Sequence, residues 1–218
     1  LALGEFLSYA SRYKAALKSL NLLDSLKKYL TKDQWEQANL ARSDTLIALS
    51  DYDEGTLILH DLLKVRRKRS GEKHPTTAKL MNRLVSVNYA RGDYESAKNM
   101  ALKTLTIQED VHDKSHFDTA DTLNNLANIE IELSLFQEAV DRHKRVANIR
   151  RKLHSEMSVE YAQSLNNLAR AQEGMASYDE ALEGYQQSIN IYQEVLGDYS
   201  ADILKPISNR GLLLSMLG

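Results

Sequence analysis

Residue types recur along this 218-residue chain at a fixed spacing of 42, and a period of that size confines a chain to stacked copies of one supersecondary unit. The column His74, His116, Ser158, Ser200 is followed by Ala78, Ala120, Ala162 and then by Leu84, Leu126, Leu168. Next come Gly92, Ser134, Ala176, then Tyr94, Phe136, Tyr178, then Ala97, Ala139, Ala181, and finally Ile107, Ile149, Ile191, with no insertion. One period earlier Ser50, Tyr52, Gly55 and Val65 fill the same columns, and Ser11, Tyr13 and Ala16 repeat their order.

The unit reads as two helices. Leu, Ala, Glu, Lys and Gln dominate, and only two prolines and nine glycines interrupt them, a composition that favours helix nearly throughout. Each unit divides at its small residue: one helix ends near Gly92, Ser134 or Ala176, and a second begins near Tyr94, Phe136 or Tyr178. Pro75 suits the first turn of a helix, where its missing N–H is not needed, and Gly197-Asp198 marks a stop. A lone hairpin cannot bury its apolar face, so the hairpins must stack into an all-α solenoid with a concave and a convex side. The expected organisation is a single array over 1–218: a short first hairpin at 1–29, full units at 30–70, 71–112, 113–154 and 155–197, and a half repeat at 198–218. The absence of an initiator Met predicts a piece of a longer protein. Leu84, Leu126, Leu168, Ala97, Ala139 and Ala181 are expected to be buried, as is Glu130, in part and with hydrogen-bond partners, since an unpaired buried carboxylate is costly.

Leu123-Asn124-Asn125-Leu126-Ala127 and Leu165-Asn166-Asn167-Leu168-Ala169, with Ser134-x-Phe136-x-x-Ala139, Ala176-x-Tyr178-x-x-Ala181 and His74-Pro75-x-x-Ala78, resemble the 42-residue tetratricopeptide repeats of kinesin light chains. The likeness is strong over 71–218 and weak over 1–70. It departs at Asn88, Glu130 and Gln172, where the family carries an apolar or aromatic residue, and at Ser158 and Ser200, where it carries histidine. The resemblance implies a right-handed superhelix whose first helices line a groove for peptides. The positions that match are Lys79, Asn82, Arg83 and Ser86; Asn124, Asn125 and Asn128; Asn166, Asn167 and Arg170; and Lys205, Ser208 and Asn209.

The residues support that face independently. Asparagine is a poor helix former, yet five recur mid-helix at steps read as solvent-facing, and a carboxamide offers the paired donor and acceptor that an extended peptide backbone needs. The competing reading is that some of them stitch adjacent repeats together. Lys79, Arg83, Arg170 and Lys205 are offset by Asp44, Asp121, Glu132 and Glu173, so the preference for acidic peptides that the family resemblance implies would be local at most.

Other functions find less support. The net charge of −2 creates no global field toward nucleic acid or an anionic membrane. Two basic runs, Lys64 to Arg69 and Arg142 to Lys152, lack an aromatic stacking platform. The period sets Lys68, Asp110, Lys152 and Glu194 in one alternating column beside Arg67, Glu109 and Arg151, which predicts a salt-bridge ladder along the second helices. His112 and His116 have metal-ligand spacing, but an inter-repeat loop falls between them, so no metal or other cofactor is expected. No phosphate loop or nucleophile elbow is found, no apolar run spans a bilayer, and the lack of cysteine is compatible with a reducing cytoplasm. The chain reads as a non-catalytic, cytoplasmic scaffold for a protein or peptide partner. The alternative is a regulatory or assembly module acting on an attached enzyme or nucleotide switch. Leu212, Leu213, Leu214, Met216 and Leu217 suggest self-association through the last helix.

Overall fold

The computed structural model describes residues 2–111 and 115–218, with the side chains of 12–22, 25–111 and 115–218. His112 and Asp113, on which the metal argument turned, lie outside the described residues, as does the side chain of Ser11. Among the described residues there is no strand.

Two compact units divide the chain. Leu1–Asp93 holds α1 (Ala2–Asn21), the four-residue α2 (Leu23–Leu26), a 3-10 turn (Lys27–Tyr29), α3 (Lys32–Ala48), α4 (Tyr52–Ser70) and α5 (Pro75–Ala90). Tyr94–Gly218 holds α6 (Tyr94–Val111), α7 (Phe117–Glu132), α8 (Phe136–His154), α9 (Val159–Gly174), α10 (Tyr178–Leu196), a 3-10 turn (Ala201–Ile203) and α11 (Leu204–Leu217). Helix boundaries fall where the period sets them, with one correction. The short hairpin expected around Ser11 does not form, because α1 runs unbroken from Ala2 to Asn21. Its helix-favouring Ala10, Lys14, Ala15 and Ala16 flank that position with no glycine to stop them.

The small-residue column owes its composition to backbone geometry. Ser50, Gly92, Ser134 and Ala176 all adopt the left-handed conformation, with φ of 64°, 82°, 59° and 59°. At each, the residue after it donates its N–H to the carbonyl five back: Asp51 to Leu46, Asp93 to Asn88, Leu135 to Glu130 and Ser177 to Gln172, at 2.8–2.9 Å. The left-handed residue itself donates three back, which completes a Schellman termination at the ends of α3, α5, α7 and α9.

The column that opens each unit also proves uniform in role. His74 and His116 accept the N–H two residues on through Nδ1, Ser200 accepts the N–H two residues on through Oγ, and Ser158 accepts that of Tyr161, three on, through Oγ, at 3.2–3.3 Å. Where the chain departs from the family's histidine, serine performs the same N-terminal capping.

The core follows the repeat. Leu84, Leu126, Ala97, Ala139 and Ala181 are fully buried. Leu168, expected with them, is only half-buried: it packs beside Ala127, Ala139, Val140 and Ala171 but borders a cleft of about 210 Å³ with Tyr161, Leu165 and Ala147. Glu130 is completely buried and accepts both of its bonds from Arg142 Nε, at 2.7 and 2.8 Å. Burial raises its carboxyl above the ordinary value, against the pull of Arg142. Thirteen residues along, His143 is also fully buried, and neither ring nitrogen has a hydrogen-bond partner. Burial, reinforced by Arg170 and Arg150, lowers its pKa to about 3, so the ring is neutral.

Candidate functional site

The thirteen positions matched to the family's groove fall on four first helices, one in the first unit and three in the second. On α5, Lys79, Arg83 and Ser86 are exposed and Asn82 is half-buried. The Ser86 hydroxyl donates to the Asn82 carbonyl at 3.3 Å, and the Arg83 guanidinium pairs with Asp44 of α3.

In the second unit the asparagines form a chain of side-chain hydrogen bonds. Asn167 Nδ2 donates to Asn124 Oδ1 at 3.0 Å, Asn166 Nδ2 to Asn167 Oδ1 at 3.3 Å, and Asn209 Nδ2 to Asn166 Oδ1 at 3.0 Å. Three first helices, α7, α9 and α11, are thereby linked through carboxamides. Both interhelix bonds join residues 43 apart, one more than the period, because each donor belongs to the second column of the Asn-Asn pair and each acceptor to the first. This corrects the reading of all five asparagines as solvent-facing: Asn166 and Asn167 are buried. A buried carboxamide without partners would destabilise the fold by about 1–3 kcal/mol, so the stitching role accounts for these two. Asn124, Asn125, Asn128 and Asn209 are half-buried, and Lys205 and Ser208 are exposed, so solvent reaches the face at these residues.

The four acids set against the groove's cations are all engaged. Asp44 holds Arg83, Glu132 holds Arg170 at 2.7 Å, Asp121 meets Arg150 at 3.3 Å, and Glu173 accepts from the Tyr185 hydroxyl at 2.7 Å. Burial and that carboxylate together push the Tyr185 phenol well above its usual pKa.

Sequence reasoning found the columns of this face but missed the bond between its two asparagine columns. The signal available was the Asn166-Asn167 doublet, which offers one side chain to the repeat before it and one to the repeat after it.

The basic runs present no free arginine. Arg66 donates to Glu36 at 2.6 Å, Arg67 to Glu72 at 2.9 Å and Arg69 to Asp33 at 2.8 Å. Arg142 pairs with Glu130, Arg145 with Glu109 at 2.5 Å, Arg150 with Asp121, and Arg151 with Glu156 at 3.2 Å. Arg150 is buried and also reaches Gln163, Ser164 and the Glu160 carbonyl. Neutralised this way, the arginines are poorly placed to displace counterions from a phosphate backbone. The charge ladder takes a different form from the one expected. Arg67 and Arg151 fold onto glutamates five residues on, across the inter-repeat turn, and Glu109 takes Arg145 in place of a partner in its own column. Among the described residues no cluster of three His, Asp or Glu side chains could hold a metal ion, and no helix is long and apolar enough to cross a membrane.

Tetratricopeptide repeat profiles match residues 77–118 and 118–194, together more than half of the chain. No curated protein sequence matches it. Among solved structures, BtubC (BKLC) from P. vanneervenii superposes with a TM-score of 0.76 at 17% identity, covering 98% of this chain and 84% of that one. A putative kinesin light chain from Podosopora anserina, with nearly identical TPR-like repeats, gives 0.69 at 19% identity, covering 90% and 97%. Bacillus thuringiensis PlcR, in complex with the peptide PapR7 and DNA, gives 0.67 at 16% identity, covering 95% and 70%. At these identities the likeness is one of fold.

Proposed function

Because the chain is a tetratricopeptide repeat protein, we propose that it is a non-catalytic scaffold that holds a peptide or partner protein against the outward face of its first helices. The observation that carries this reading is the asparagine chain across α7, α9 and α11. Buried Asn166 and Asn167 fix the spacing of the helices, and Asn124, Asn128, Ser208 and Lys205 stand beside them within reach of a ligand backbone. A rigid row of carboxamides loses little entropy when it pairs with an extended chain. On α5, Lys79, Asn82, Arg83 and Ser86 are the corresponding residues of the first unit, and the 42-residue period, unbroken from Ser50 onward, supports reading those repeats as one array. PlcR, of the same fold, has been solved with a peptide, which supports the same class of ligand. Asp44, Glu132 and Glu173 are already engaged, and exposed Lys205 gives the α11 end of the face a positive group that suits a mildly acidic ligand.

The test is capture from an extract of the protein's own cells, comparing wild type with Asn128→Ala plus Lys205→Ala. Neither substitution touches the asparagine chain, so the helical signal should be unchanged. Loss of one or two hydrogen bonds of about 1 kcal/mol each lowers affinity roughly tenfold or more. Equal capture by both proteins, or no capture by either, removes the proposal.

A further inference from the structure

A single change within one column opens a cleft on the side of α9 turned away from the asparagines. Where a second helix packs on the first helix that follows it, this column supplies an aliphatic side chain: Leu63, Leu105 and Ile189 are all buried there, and Ile189 packs with Ile203. The fourth member is Ala147 of α8. The branched end of a leucine is thus missing from the α8–α9 contact, where Ala147, Tyr161, Leu165 and Leu168 border the cleft of about 210 Å³. Leu84 and Leu126, the counterparts of Leu168, are fully buried, whereas Leu168 is not. Tyr161 stands in the column of Thr77 and Thr119, yet it lines the cleft and does not close it. Tyr161, Leu165 and Leu168 form one stripe of α9, at i, i+4 and i+7. Asn167 and Asn166 lie two residues, about 200° of turn, from Leu165 and Leu168 respectively, so they occupy the other side of the helix.

The lining sets the chemistry of an occupant. Ala147, Leu165 and Leu168 supply its apolar part, and no carboxylate borders it. Arg151 is engaged by Glu156, but among the described residues neither the exposed Lys144 ammonium nor the Tyr161 hydroxyl has a partner. A space of about 210 Å³ admits one aliphatic residue and not a length of chain, so the apolar floor and the positive rim act on the same residue. An aliphatic residue carries a carboxylate only at the carboxyl end of a chain. We propose that the cleft is a docking site for the carboxyl-terminal leucine or isoleucine of a partner protein. Its side chain takes the place that Leu63, Leu105 and Ile189 fill in the other repeats, and its carboxylate meets Lys144. The chain then has two ligand surfaces, on opposite sides of α9.

N-Acetyl-leucine presents the isobutyl group, the amide and the free carboxylate of such a chain end in one small molecule. Titrated into the full chain with isotope-labelled leucine methyls, it should shift the NMR signals of Leu165 and Leu168 saturably, with a dissociation constant of about 1–10 mM, as suits one residue of a larger contact. N-Acetyl-leucinamide, which lacks the charge, should bind about tenfold more weakly. N-Acetylglycine, which lacks the side chain, should leave both signals in place. Lys144→Gln, at an exposed position, should reduce N-acetyl-leucine to the affinity of the amide and leave the amide unchanged. Ala147→Leu restores the residue of the earlier repeats and should abolish binding of both, with the helical signal unaltered. No saturable shift at Leu165 and Leu168, equal binding of acid and amide, binding of N-acetylglycine, or undiminished binding by either variant each overturns the proposal. Asn128 and Lys205 are unchanged in these proteins, so failure here leaves the scaffold reading standing.

Discussion

Backbone conformation at single residues gives the sharpest expectations. Ser155 closes α8 at φ 91° and ψ 167°, a region that glycine occupies almost alone and that costs other residues about 1–3 kcal/mol. Gly71 and Gly197 hold the same column with the same geometry. Ser155→Gly should therefore raise stability by about 1–2 kcal/mol. Ala176→Gly, in the milder left-handed region, should raise it by about 0.5–1 kcal/mol, since glycine's greater freedom in the unfolded chain offsets part of the gain. Urea unfolding with an unchanged slope is the measurement. The columns themselves were legible as repetition. Their cause was not, because a column of Gly, Ser and Ala states that the site is small and says nothing of the sign of φ.

Between helices, the buried Glu130–Arg142 pair links α7 to α8. Arg142→Ala strands a buried carboxylate and should cost about 3 kcal/mol. Replacing both, Glu130→Leu with Arg142→Ile, copies Leu46 and Ile58 from the same columns of the 30–70 repeat and should stay within about 1 kcal/mol of wild type. If the double variant is as unstable as the single one, the pair is not an isolated substitution for packing. A second contact joins α9 to α8. A β-carbon at Gly174 would collide with the Phe136 ring, whereas one at Gly211 would meet nothing. Gly174→Ala should destabilise by about 1–2 kcal/mol despite its better helix propensity, and Gly211→Ala should stabilise by up to about 1 kcal/mol; thermal unfolding of the two variants decides. Pairing within hairpins was readable from one unit at a time, and the expected partnered burial of Glu130 holds. The burial of Asn166 and Asn167 was not readable that way, because the surface of one hairpin becomes the interior of two.

At the level of the whole molecule, two buried titratable groups set the response to acid, with opposite signs. His143 has a folded pKa of about 3 against an ordinary 6.5, so the folded state binds fewer protons, and stability present above 6.5 is lost as pH falls toward 3. By linkage the loss approaches about 1.4 kcal/mol per pH unit in that window. Glu130 is raised, so its contribution grows on acidification and is lost as pH rises through its folded value. His143→Leu, which copies buried Leu59 from the same column, should flatten the decline between pH 6.5 and 5; an unchanged slope assigns the acid sensitivity elsewhere. The last helix bears on solution behaviour. Leu213 is buried beside Ala169, Ala181 and Tyr185, but Leu212, Leu214, Met216 and Leu217 are exposed. Sedimentation of wild type should therefore show concentration-dependent association that Leu212→Lys with Met216→Lys reduces.

The asparagine chain also bears on copy number. Asn124 and Asn166 stand in one column, so excision of a single 42-residue unit, 155–196, would bring Asn209 opposite Asn124 with the same donor, acceptor and offset. The asparagine side is thus indifferent to how many units the chain carries, and a recombination that gains or loses one preserves its chemistry. The reverse side is not indifferent: Met216 occupies the column of Gly174 and would arrive against Phe136, where the structure has no room for even a β-carbon. Changes in length are therefore filtered by packing behind the helices and pass freely in front of them.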